Sequence, residues 1–141
     1  MTQQQRRQAR EQAFALLFEL TFHTNLQEVL AARDETAELP HEFALQLATL
    51  AVENLSALDE EIAKRLKPGW RLGRIPRATH ALLRLAVCEM LHFDDIPVGV
   101  SINEAVELAK LYGDDDAPKF VNGLLGAIAR SSEQESGSEA K

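Results

Sequence analysis

The sequence has almost no cysteine, and this scarcity excludes two classes of small protein. Cys88 is the only cysteine among 141 residues, so the chain can form neither an internal disulfide nor a cysteine-based zinc site. No uninterrupted apolar stretch approaches the roughly 20 residues that a membrane-spanning helix requires. A chain of this length can bury a hydrophobic core large enough to fold without disulfides or a bound metal. We therefore expect a soluble, cytoplasmic protein that forms one domain and does not associate with membranes.

The residues from which catalytic and metal sites are built are also scarce. The four histidines are scattered, and no two of them have the H-E-x-x-H spacing of a zinc protease. The run Asp114–Asp116 lacks the glycine and the distant glutamate of a calcium-binding loop, and it suits the start of a helix better. We therefore predict no enzymatic activity, no metal site and no cofactor.

No segment alternates apolar and polar residues between turn signals, so we predict no β-sheet. Helical periodicity recurs instead, which predicts an all-α domain over residues 1–130 and a disordered acidic tail over 131–141. Ser101 and Glu104 have the spacing of a capping box at a helix start, and Gly113 suits a left-handed helix end. The helices are predicted at residues 3–23, 26–33, 40–66, 76–93, 101–112 and 116–130.

Charge is distributed unevenly along the chain. The net charge of −7 disfavours a protein that coats nucleic acid non-specifically. Residues 1–12 nevertheless hold three arginines against one glutamate, and residues 64–77 hold six basic residues and no acidic one. Two basic islands on an acidic protein suit the binding of an anion at a defined place. The second island can equally be a solvated connection between helices.

Two clusters of residues have the chemistry of RNA recognition. Arg6, Arg7 and Arg10 fall in the polar first turns of a helix that we expect to project beyond the core, where guanidinium groups can bind phosphates and stack on bases. At the start of the last helix, Lys119, Phe120 and Asn122 combine a cation, an aromatic ring and an amide, which together can read an unstacked base. Phe120 also fits the core pattern, and Asn122 could cap the preceding loop.

Several segments together resemble the NusB family of bacterial transcription antitermination factors. The resemblance extends over nearly the whole chain to Arg130 and is most specific towards the C-terminus, where an INEA sequence precedes an FVNG sequence at a characteristic separation. The matching segments are Arg6–Glu11, Leu82–Met90, Ser101–Lys110, Tyr112–Gly113 and Lys119–Gly123.

The resemblance implies about seven helices in two small bundles that pack across each other. It also implies binding of the boxA element of nascent ribosomal RNA leaders, as a heterodimer with the small-subunit ribosomal protein called NusE in this role, within the antitermination complex of RNA polymerase. The partner is expected near the central helix, at Arg77 and His80. By position, the RNA-binding residues are Arg6, Arg7, Arg10, Phe18, Lys119, Phe120 and Asn122.

Some features leave other functions open. Asp114–Asp116 lie beside Lys119 and repel phosphate, which predicts modest RNA affinity without the partner. A homodimeric regulator that masks its RNA face, or a helical adaptor that binds only proteins, would also fit the pattern. The same domain forms the N-terminal part of certain ribosomal RNA methyltransferases, but the 141 residues hold no methyl-donor domain, so we do not expect that activity.

Overall fold

The computed structural model describes residues 2–22, 25–33 and 40–139, with side chains to residue 131. Seven α-helices and one 3₁₀ turn account for most of this part of the chain, and it contains no strand, which confirms the predicted all-α fold. The helices are α1 (Gln3–Leu20), α2 (Leu26–Ala31), α3 (Glu42–Glu53), α4 (Leu55–Ala63), α5 (Arg77–His92), α6 (Val98–Tyr112) and α7 (Ala117–Glu139), with the 3₁₀ turn at Leu72–Arg74 between α4 and α5.

Helix α5 is the centre of the fold. Its sequence is apolar on nearly all sides, and a helix of this kind is stable only when other elements surround it. Leu82, Leu83, Val87 and Cys88 are fully buried. Helices α1 and α3 pack against α5 and against each other, and α4, α6 and α7 also pack against it. Helix α5 therefore packs against five other helices, which explains why so little of its surface is polar.

Local hydrogen bonds explain where several helices begin. The Thr2 side chain accepts from the Gln5 backbone at 3.1 Å, and the Gln5 side chain accepts from the Thr2 backbone at 2.8 Å, so a capping box starts α1. The Asn25 side chain caps α2 by accepting from the Glu28 backbone at 2.9 Å.

The single helix predicted over residues 40–66 is two helices, so that prediction was wrong. Asn54 leaves the helical conformation, with φ −122° and ψ 20°. Its side-chain amide donates to the Leu50 carbonyl at 2.8 Å, and such bonds compete with the helical backbone pattern. The apolar stripe nevertheless continues across the break, because Leu47, Leu58 and Ile62 are all fully buried.

Two predicted helix ends were also wrong. Helix α6 begins at Val98, so Ser101 and Glu104 lie inside the helix and not at its cap. Gly113 has φ −93° and ψ 175°, which is extended and not left-handed. A glycine is still required there, because an added Cβ would lie 2.5 Å from the Ala117 Cβ and 2.9 Å from the Ala109 carbonyl oxygen.

The C-terminal helix is longer than the sequence predicted. Helix α7 continues through residues 131–139, which the sequence assigned to a disordered tail, while residues 140–141 lie outside the described part of the chain. The division into a domain over 1–130 and a tail over 131–141 stays a prediction.

Candidate nucleic-acid interface

The N-terminal arginine cluster reaches solvent at two residues, because Arg7 is exposed and Arg6 is partly buried. The Arg6 guanidinium carbon lies 4.8 Å from the centroid of the Phe43 ring, a cation–π contact that holds the side chain against α3. The Arg7 side chain is 52% exposed and forms two hydrogen bonds to Glu104, from Nε at 3.0 Å and from Nη2 at 2.9 Å. The hydrogen bond with Glu104, followed by the attraction of its charge, raises the pKa of Arg7. Both guanidinium groups are therefore anchored on one side and open to solvent on another.

Arg10 has a different environment, which corrects its assignment as an RNA contact. The Arg10 and Glu89 side chains are only 4% and 2% exposed, and Nε and Nη2 of Arg10 each donate to a Glu89 oxygen at 2.8 Å. The Ser101 hydroxyl donates to Glu89 Oε1 at 2.8 Å as well. The triad Arg10–Glu89–Ser101 joins α1, α5 and α6 in the interior, where an RNA phosphate does not reach it. Helix α1 therefore reaches the core at Ala9 and Arg10, whereas residues 3–8 are exposed apart from the partly buried Arg6.

Phe18 belongs to a row of aromatic side chains along α1. Its ring stacks on Phe14 at 6.0 Å and meets the edge of Phe22 at 5.8 Å. Phe14 stacks in turn on Tyr112 at 4.9 Å. The two end members of the row, Phe22 and Tyr112, are exposed, whereas Phe14 in its interior is buried. The Tyr112 hydroxyl donates to Glu11 at 3.0 Å, which raises the pKa of the phenol.

The second cluster lies in the first turns of α7. Lys119 and Asn122 are exposed, and Phe120 is partly buried. The Phe120 ring packs against the core, as its apolar pattern predicted, and it also stacks on the Trp70 ring with centroids 6.3 Å apart and planes inclined by 28°. Asn122 falls within the helix and not at its start, so it does not cap the preceding loop.

The sequence did not single out Trp70 as a functional residue. Trp70 lies in the basic island at residues 64–77, which can also be a solvated connection between helices, and the ring on which it stacks, Phe120, comes from a distant part of the chain. Its position among six basic residues could have indicated a role in RNA binding, because a cation next to an aromatic ring is also the combination found at Lys119 and Phe120.

Arg77 and His80, the predicted partner contacts, lie on α5 with different degrees of exposure. Arg77 is exposed, and its guanidinium carbon lies 5.2 Å from the centroid of the Phe22 ring. His80 is partly buried, and its Nε2 lies 2.8 Å from Asp59 Oδ1. Arg84 forms two further hydrogen bonds to Asp59, at 2.9 and 2.7 Å. Burial raises the pKa of Asp59, but the hydrogen bonds from Arg84 and His80 outweigh it and lower that pKa below its ordinary value.

The part of the chain that the structure describes offers little for metal chemistry. It holds no group of three or more histidine, cysteine, aspartate or glutamate side chains that could bind a metal ion. Cys88 is buried, and burial, followed by the charge of Glu89, raises its pKa to about 12. Within the same described ranges, no helix has the length and apolarity needed to cross a bilayer.

The chain is similar in sequence and in fold to known proteins. The family model described as the NusB family matches residues 7–130. A transcription antitermination protein NusB from Bacillus pumilus is 44% identical over 133 residues, which cover 92% of this chain and 98% of that protein. Its counterpart from Bacillus subtilis is 45% identical over 131 residues, covering 92% of this chain and 98% of that protein.

Solved structures of related chains have the same fold. The NusB structure from T. maritima has a TM-score of 0.79 and 39% identity, covering 89% of this chain and 90% of that one. A chain in the crystal structure of antitermination factors NusB and NusE in complex with double-stranded RNA has a TM-score of 0.76 and 28% identity, covering 92% of this chain and 99% of that one.

Proposed function

The chain belongs to the NusB family, and we propose that it is a transcription antitermination factor. It binds boxA-type single-stranded RNA of ribosomal RNA leader transcripts together with the ribosomal protein that acts as NusE. The pair supports read-through by RNA polymerase and the synthesis of ribosomal RNA. The names of the relatives support the antitermination role, and the similar chain found with NusE and RNA supports the two partners.

The observation that carries the proposal is the exposure of Arg7 on α1 and of Lys119 and Asn122 beside the partly buried Phe120 on α7. The first surface consists of Arg6 and Arg7, with the partly buried Phe18 three turns further along α1, and the second consists of Lys119, Phe120 and Asn122. Single-stranded RNA is bound by this combination, because cations neutralise phosphates while aromatic rings stack on unpaired bases. Arg10 is left out of the direct contacts, because its guanidinium is buried against Glu89.

The protein acts by binding and not by catalysis, and it works in the cytoplasm, where transcripts and ribosomal proteins meet. Residues 1–130 form the binding domain. Arg77 contacts the partner directly, because it is exposed next to the exposed Phe22 ring. His80 contributes through its hydrogen bond to Asp59, which fixes the start of α5 against α4.

Fluorescence anisotropy with a boxA RNA and a scrambled RNA of equal length tests the proposal. Both RNAs are titrated with the protein alone and with the ribosomal partner over a series of salt concentrations. We expect modest affinity for boxA alone and a larger preference for boxA when the partner is present. Equal and weak binding of both RNAs in every condition would instead support a helical adaptor that binds only proteins.

Two sets of variants then separate phosphate contacts from base contacts. Each phosphate contact contributes about 0.7 to the slope of log affinity against log salt for single strands. The double variant Arg6→Ala/Arg7→Ala should therefore weaken binding and flatten that slope. Asn122→Ala should reduce the preference for boxA and leave the slope unchanged. Identical slopes for the wild type and the double variant would refute the assignment of the two arginines.

A further inference from the structure

A pocket of about 520 Å³ lies between the segment that follows α4 and the first turns of α7. Its volume falls in the range of roughly 300–1,000 Å³ that is typical of small-molecule sites. The walls combine aromatic and charged side chains, among them Arg65, Lys67, Trp70, Lys119 and Phe120. Only Lys119 and Phe120 belong to the RNA surface considered so far. The other three extend that surface across to the basic island at residues 64–77.

Trp70 has the properties of a stacking platform. The ring is 54% exposed, although tryptophan is among the largest apolar side chains. One side is supported by Phe120, whose own ring packs against the core. Trp70 follows a turn at Gly69, the only described residue with a left-handed backbone, at φ 89°. The ring is therefore held in place while much of its surface remains in contact with water.

The charges around the ring favour an anion. Lys67 and Lys119 are exposed, and within the described residues neither of them forms an ion pair. Arg65 lies 3.8 Å from Glu61 through Nη2, and its Nε has no hydrogen-bond acceptor in the described part of the chain. Asp116 is the one acidic residue that lines the pocket. Arg65, Lys67 and Lys119 against Asp116 and the Glu61 partner of Arg65 leave a net charge of about +1 beside an exposed ring.

We propose that this pocket is a nucleotide subsite for the bound RNA. One unstacked base stacks on Trp70, and the adjoining phosphate is neutralised by Lys67 and Lys119. The inference rests on the proposed function, and it adds Arg65, Lys67 and Trp70 to the RNA-binding surface. Every base presents a flat face for stacking, so the subsite strengthens binding without selecting a sequence. Selection of boxA comes from the remaining contacts, including Asn122.

Trp70 is the only tryptophan in the sequence, so its fluorescence reports on this pocket alone. The full chain is titrated with unlabelled boxA RNA while Trp70 emission is recorded, and a parallel anisotropy titration with labelled RNA defines saturation. We expect the emission to be quenched along the same binding curve as the anisotropy. Saturable RNA binding with unchanged emission would overturn the subsite and leave the proposed function intact. A complete lack of RNA binding would overturn both.

Variants connect the quenching to direct contact. Trp70→Ala should weaken binding by about fivefold or more, the usual loss for one base-stacking ring, and by the same factor for boxA and for scrambled RNA. Trp70→Phe should recover part of that loss. Lys67→Ala should flatten the salt dependence by about 0.7, whereas the matched control Lys64→Ala should leave it unchanged, because Lys64 does not line the pocket and is paired with Glu61 at 3.3 Å.

Three results would refute the subsite directly. They are wild-type affinity in a folded Trp70→Ala variant, equal salt slopes for Lys67→Ala and the wild type, and quenching of Trp70 by the ribosomal partner without RNA. Circular dichroism establishes that each variant is folded, and the exposure of Trp70 and Lys67 makes unfolding of these variants unexpected.

Discussion

Replacement of Arg10 by methionine should destabilise the fold strongly and leave the phosphate contacts of the folded protein unchanged. The substitution removes one member of an ion pair whose side chains are 4% and 2% exposed. Within the described part of the chain, Glu89 then keeps only the Ser101 hydroxyl, at 2.8 Å, as a side-chain hydrogen-bond donor. Breaking a buried pair from one side typically costs about 3–5 kcal/mol of unfolding free energy, which is a large share of the total stability of a domain, roughly 5–15 kcal/mol.

Urea denaturation followed by circular dichroism measures this loss as a lower transition midpoint. The matched control is Arg7→Met, which removes the same kind of side chain from an ion pair that is 52% exposed on the arginine side. Glu104 is itself only 5% exposed, but water reaches it from the exposed side that the arginine leaves, so the control should lose less stability than Arg10→Met, about 1–3 kcal/mol. The double variant Arg10→Met/Glu89→Leu should recover most of the stability, because no uncompensated charge remains in the interior.

RNA binding of the folded Arg10→Met variant completes the test. A buried Arg10 contributes no phosphate contact, so the salt dependence should equal that of the wild type. A slope reduced by about 0.7, together with wild-type stability, would show that Arg10 is a surface contact. That result would refute the reasoning from the buried triad and restore the assignment made from the sequence.

Three further perturbations probe other parts of the structure. The pKa of Asp59 is lowered from 3.8, so the ionised carboxylate stabilises the folded protein fully above pH 3.8, and this stabilisation is lost as the pH falls below that value. Asp59→Asn should therefore make the free energy of unfolding, measured by urea titration, depend less on pH in acid. Cys88, with a pKa of about 12, should resist a thiol reagent at pH 8 until urea unfolds the chain. In thermal unfolding, Gly113→Ala should destabilise by about 1–3 kcal/mol through overpacking, whereas Gly123→Ala, where an added Cβ meets nothing within 4 Å, should stabilise by up to about 1 kcal/mol.

The fold could be predicted in outline because it depends on local periodicity. The nearly continuous apolar pattern of residues 82–91 predicts a buried helix, as α5 is, and the aromatic and aliphatic stripe of α7 predicts its buried face. The prediction of a capping box at Ser101 and Glu104 was wrong because these residues depend on contacts that are not local. Both side chains have the right local spacing, but their hydrogen-bond partners, Glu89 and Arg7, come from other helices, and a short pattern carries no information about such partners.

The candidate site shows the same limit. Chemistry alone selected Arg6, Arg7 and Arg10 together, since three arginines in two helical turns are equivalent in sequence. Only the packing of α1 against α5 separates the buried guanidinium of Arg10 from those of the partly buried Arg6 and the exposed Arg7. Trp70 was missed because it became significant only through its contact with Phe120, which belongs to a helix far along the chain.

The ion pair between Arg7 and Glu104 has a consequence for the entropy of binding. Two of the five N–H donors of the Arg7 guanidinium point to Glu104, so the side chain is oriented before any ligand arrives, while the other three are not used by this pair. A free arginine on a flexible arm would lose rotamer freedom on contact with a phosphate, a cost of about 0.5–1.5 kcal/mol per side chain. Because folding already orients the Arg7 side chain against Glu104, most of its rotamer entropy is lost on folding, and the binding of a phosphate costs correspondingly less entropy.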